Sequence, residues 1–122
     1  MYVFYSTVLF AKNSERRDIF CRGIYSLNNS ITYAEWKIIK RVSNFKIIFQ
    51  LDDSQKSIKV AKFNIRKGNA GTITGTGGWL RKTGENSSLN MFFSQTNKSF
   101  KMTSRYSNLR IKGLCDKSIN IN

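Results

Sequence analysis

The chain has no histidine and no proline, and its 7 acidic residues face 21 lysines and arginines. Without histidine the commonest general acid/base and the commonest metal ligand are both missing. Serine and cysteine triads built on an imidazole are excluded, and two cysteines alone do not make a structural zinc site. No recognisable catalytic or metal motif takes their place, so we expect a protein that is not an enzyme and carries no cofactor. Without proline, the turns fall to Gly, Asn, Asp and Ser. No apolar run approaches the roughly 20 residues of a membrane-spanning helix, so no transmembrane segment is expected. The apolar start, Met1 to Ala11, lacks the basic stretch that precedes a signal peptide's apolar core, and it reads as a strand.

What is present points to one folded domain over residues 1–122. Apolar residues make up 40% and aromatics 13%, too much for a disordered chain. The formal charge is +14, which repels itself and favours an anionic partner. Part of the lysine excess can also come from the bias of AT-rich coding DNA. Between Ser54 and Leu114 every charged residue except Glu85 is Lys or Arg. A one-sided stretch of this kind is the footprint of a surface that tracks phosphates. Cys21 and Cys115 lie near opposite ends. They are either a disulfide closing almost the whole chain or two reduced buried thiols. Location stays open, with the cytoplasm slightly favoured and a secreted or periplasmic setting implied by a disulfide.

Along the chain, Tyr2 to Phe10 reads as a strand and Ile19 to Leu27 is ambiguous. Thr32 and Glu35 have the spacing of a helix-capping box. Trp36, Ile39 and Val42 then share one helical face, which predicts a helix near 33–42, although the Ile and Val content also suits a strand. From Asn44 the period becomes two. Strands are expected around 45–51, 58–65, 72–80, 89–93, 100–105 and 109–114, with a parity break near Tyr106–Asn108 and a frayed tail from Asp116 to Asn122. The sum is a β-rich α+β domain: an N-terminal strand, one helix, then a curved antiparallel sheet or partly closed barrel of five or six strands.

Three clusters invite chemistry and are read as structural. The glycines between Gly71 and Gly78 fit neither a Walker loop, since Arg81 precedes Lys82-Thr83, nor a dinucleotide fingerprint, since Leu80 stands where Gly is needed. Asp52-Asp53 sits at an expected turn. Glu35, Glu85 and Tyr106 are the candidates for a small basic nuclease-type toxin working without histidine, but nothing in their spacing singles them out.

The stronger candidate is a face. If Phe100, Met102, Leu109 and Ile111 point inward, then Lys101, Arg105, Arg110 and Lys112 point outward on two adjoining strands, with Phe92 on the same side. Arg81 and Lys82 add further positive charge. A basic sheet face with an exposed aromatic suits single-stranded nucleic acid, through phosphate attraction and base stacking. The leading expectation is therefore a polyanion-binding module, foremost for nucleic acid. The main alternative is a secreted or periplasmic protein, held by Cys21–Cys115, that binds an anionic surface or an acidic protein.

Overall fold

Alternation of inward apolar and outward polar residues governs most of the chain. The computed structural model describes residues 18–81, 84–85 and 88–119, with Arg81, Gly84 and Glu85 described in backbone only. Nine strands follow one another: β1 Ile19–Leu27, β2 Ser30–Lys40, β3 Asn44–Leu51, β4 Ile58–Lys67, β5 Thr72–Arg81, β6 Gly84–Glu85, β7 Leu89–Ser94, β8 Ser99–Ser104 and β9 Arg110–Cys115. Among the described residues there is no α-helix; a single 3-10 turn, Asn69–Gly71, joins β4 to β5. The short β6 folds back on the end of β5, pairing Leu80 with Glu85.

The other eight strands form a closed antiparallel barrel. Each pairs with its neighbour in sequence, and β9 pairs with β1 to close the ring. Eight strands leave an interior that side chains can fill. Here Trp36, Phe45, Phe49, Phe63, Phe93 and Phe100 are wholly buried. The Trp36 ring lies 5.5 Å from Phe49 and 5.3 Å from Phe100, centroid to centroid. These tilted stacks add to the burial of apolar area. The Trp36 Nε1–H is buried without a hydrogen-bond partner among the described residues. The apolar-inside, polar-outside alternation is the reverse of a membrane barrel, whose apolar band faces lipid. No helix among the described residues is long and apolar enough to cross a membrane.

This architecture corrects the α+β expectation. The segment expected as a helix near 33–42 is mostly strand β2. Ala34, Trp36 and Ile38 point inward with a period of two. The three-residue spacing of Trp36, Ile39 and Val42 is coincidental, and Val42 stands fully in solvent in the β2–β3 turn. Thr32 pairs across the ladder with Tyr25 and caps nothing. The ambiguous segment 19–27 is β1. Its link to β2 is a two-residue turn, Asn28-Asn29, with φ of 51° and 70°. Positive φ at both positions is what a type I′ hairpin demands. With β1 and β2 both strands, the sheet has enough members to close, so it is neither five- or six-stranded nor partly open. The parity break falls in the loop between β8 and β9. The tail is not frayed over its described part, since Ile119 is buried and its amide donates to Gln95 Oε1 at 2.8 Å. The expected strand at 2–10 lies outside the described residues.

Glycine lines two seams of the ring, which lie opposite each other. At β1/β9, Gly23 faces Gly113. A Cβ on either would overlap the partner strand's backbone, at the Lys112 or the Arg22 carbonyl. At β4/β5, Gly77 faces Phe63, and a Cβ there would overlap the Lys62 carbonyl. Glycine in a strand marks such close approaches and tight barrel bends.

Candidate nucleic-acid interface

Strand register sets out the outer face in rows. Lys112 on β9 is directly opposite Lys101 on β8, and Lys101 is directly opposite Phe92 on β7. The row continues the other way through Ile24 on β1 to Tyr33 on β2. One stripe across five strands therefore reads Tyr33, Ile24, Lys112, Lys101, Phe92, a span of about 19 Å at normal strand spacing. Arg110 sits in the next row, opposite Thr103 and Ser26. All of these are exposed except half-buried Ser26, and Phe92 shows 39% of its surface. None of Lys101, Arg110 and Lys112 is in an ion pair among the described residues.

Two opposed lysines repel. Nothing in the row offsets the repulsion, so the pair leaves a positive field available to an outside anion. The acids lie to one side. Glu35 is paired in register with Arg22 in the row above, and its Oε2 accepts from the Tyr33 hydroxyl at 3.4 Å. Partial burial and the Glu35 carboxylate push the Tyr33 phenol up, and Arg22 partly opposes them.

The structure separates the other expected cations from this stripe. Arg105 is exposed in the β8–β9 loop at the end of the barrel, its amide donating to the Ser88 carbonyl at 2.8 Å. Arg81 ends β5, seven residues beyond Thr74, the β5 residue in the stripe's row. That puts its backbone about 23 Å away along the strand. Lys82 lies outside the described residues. Cations also occur elsewhere on the barrel, for Lys46 on β3 is directly opposite Lys62 on β4.

Cys21 and Cys115 are cross-strand partners at the β1/β9 seam, joined by a disulfide with their Cα atoms 3.9 Å apart. Outside this seam lies a groove of about 950 Å³ that the sequence reading missed. Partly buried Phe20 and exposed Ile24 and Leu114 supply its apolar walls, while Arg22, Lys101 and Lys112 supply positive charge. The alternation in β1, with Cys21 and Tyr25 inward and Arg22 and Ile24 outward, gives each side chain's side but not the groove, which needs β9 beside it.

The clusters read as structural take structural places. Asp53 organises the β3–β4 turn, its carboxylate accepting from the Ser57 amide at 2.9 Å and the Ser57 hydroxyl at 2.7 Å. These bonds hold its carboxyl below the usual aspartate value. Asp52 pairs with Lys56 at 2.6 Å. Gly75 and Gly77 lie within strand β5 and form no loop before a helix. Glu35 lies in the middle of β2, whereas Tyr106 is in the β8–β9 loop, and the side chain of Glu85 is outside the described residues. Among the described residues no group of three or more acidic or cysteine side chains could hold a metal. No protein family, curated protein or solved structure matches this chain.

Proposed function

We propose that this protein is a non-enzymatic binding module that holds a polyanion, foremost a single-stranded nucleic acid, on the outer face of β2, β1, β9, β8 and β7. The supporting observation is the direct opposition of Lys101 and Lys112, with Phe92 next to Lys101, Tyr33 beyond Ile24 on the other side, and no carboxylate in their row. Phosphates would sit on the lysines and bases would stack on the rings. The test is titration of a labelled 12-mer of thymidylate at two salt concentrations. Affinity should fall steeply with salt, because each neutralised phosphate releases counterions. Lys101→Gln with Lys112→Gln should weaken binding more than Lys46→Gln with Lys62→Gln, and Phe92→Ala should weaken it without changing the salt slope. Salt-independent binding, or equal losses from the two lysine pairs, would reject this reading.

The disulfide supports a second reading. Such bonds persist in oxidising compartments, where the polyanion would be an acidic cell surface or an acidic protein. Anionic lipid vesicles that compete for the protein better than the oligonucleotide would favour it. A thiol count under denaturing, non-reducing conditions that found two free thiols would remove its basis.

A further inference from the structure

The groove outside the β1/β9 seam has a composition that a polyanion does not use. Its volume, about 950 Å³, is of the size that takes a small organic ligand, commonly ~300–1,000 Å³. Ile24 and Leu114 expose 43% and 62% of their surface in or beside it, and Phe20 adds an aromatic wall. The floor is the backbone of the Gly23–Gly113 pair. The charges are not spread evenly around this trough. Glu35 is paired in register with Arg22, and Asp116 Oδ1 accepts from the Phe20 amide at 3.1 Å. Lys101 and Lys112 face each other along the remaining side with no acid between them. Leu114 lies two residues beyond Lys112 on the same face of β9, and Ile24 is the cross-strand neighbour of Lys112. Apolar wall and cationic edge therefore adjoin.

We propose that this groove binds one free single-chain amphiphile with an anionic head, its chain lying over Leu114, Ile24 and Phe20 and its head held between Lys101 and Lys112. Charge complementarity selects the sign of the head, and apolar area removed from water supplies the attraction for the chain. The inference goes beyond the polyanion reading and does not rest on it, because Ile24 and Leu114 carry no charge.

The probe is dodecyl phosphate, kept below its micelle concentration and titrated calorimetrically into the oxidised full chain. Saturable binding of one molecule is expected. Ile24→Ser with Leu114→Ser should weaken it by about tenfold or more, since the lost contacts are apolar area. Lys101→Gln with Lys112→Gln should weaken it as well, whereas Arg110→Gln, one row away, should leave it unchanged. Dodecyltrimethylammonium, with the same chain and opposite head, should not compete. Thermal melting checks that the variants fold. Should the double serine variant melt early, Leu114→Ser alone serves, because that side chain is mostly in solvent. Absence of saturable binding, equal binding of the cationic amphiphile, indifference to Leu114→Ser, or binding only to intact phosphatidylglycerol vesicles would each overturn the proposal.

Discussion

The two glycine seams of the barrel solve the same steric problem under different chain constraints. At β4/β5 and at β1/β9 the strands approach so closely that a Cβ on Gly77 or Gly113 would overlap the partner backbone. Strands β4 and β5 are consecutive, joined by a short 3-10 turn, so bringing them together costs little loop entropy. Strands β1 and β9 are far apart in the chain, and Cys21 and Cys115 are separated by 94 residues. Closing that loop is the costliest pairing in the ring, and there the disulfide is placed. The outer surfaces differ too. The β1/β9 seam has a groove with exposed apolar walls beside Lys101 and Lys112, whereas the outward positions at β4/β5 are the exposed polar residues Lys62, Asn64 and Thr76. The seam that is harder to form is thus also the better equipped for a ligand.

Breaking the disulfide tests this contrast most severely. Cys21→Ser with Cys115→Ser should cost up to about 4.7 kcal/mol on the chain-entropy account for a loop near 100 residues, read as a lower denaturant midpoint. Hydrogen exchange should then lose protection first along β1 and β9 while β4 and β5 retain theirs. Simultaneous loss at both seams would show that the ring opens as one unit.

Alanine at the glycines gives a smaller effect. Gly113→Ala and Gly77→Ala should each destabilise by about 1–3 kcal/mol or more, as overpacking does, measured by chemical denaturation. Gly75→Ala should cost less than Gly77→Ala, because its nearest obstacle is the flexible Met91 side chain.

Changing the lysine pairs should alter the proposed binding with little effect on stability. Removing Lys101 and Lys112 should reduce the salt slope of oligonucleotide binding by about 1.4 if both neutralise phosphates of a single strand. Removing Lys46 and Lys62, on the β3–β4 wall, should reduce it by less.

The smallest effect is expected from Asp53→Asn in the β3–β4 turn. The Asp53 carboxyl is held below its ordinary value by bonds from Ser57. Its contribution is therefore present above the unfolded aspartate value, about 3.9, and is lost as pH falls through the lowered one. Melting temperatures followed from about pH 7 to pH 2 should decline less in the variant across that acid window, with exchange at β1/β9 untouched.

Local periodicity carried most of the strand assignments. Phe45, Ile47, Phe49 and Leu51 alternate cleanly with polar residues, and β3 is where that pattern predicts a strand. The failure at β2 has a specific cause. Lys37, which falls between inward-facing Trp36 and Ile38, is itself buried and lies 4.0 Å from Asp18. In the sequence Lys37 still fits the alternation; Ile39 is the apolar residue out of phase, and with Trp36 and Val42 it imitates a helical spacing. Of the candidate site, Lys101, Lys112, Arg110 and Phe92 were legible from inward–outward alternation along β7, β8 and β9. Phe20, Arg22, Ile24 and Leu114 were not, because the groove exists only where the first described strand meets the last.

The amino-acid order by itself determined which side of each well-patterned strand is apolar, the positive charge of the chain and the absence of any imidazole chemistry. Those properties are local or additive, so neighbouring residues suffice to specify them. Only the tertiary structure decided that the sheet closes, that Cys21 meets Cys115, and that Lys112 stands between Ile24 and Lys101. Such pairings join residues distant in sequence, and their register depends on the packing of the whole barrel interior rather than on any one segment.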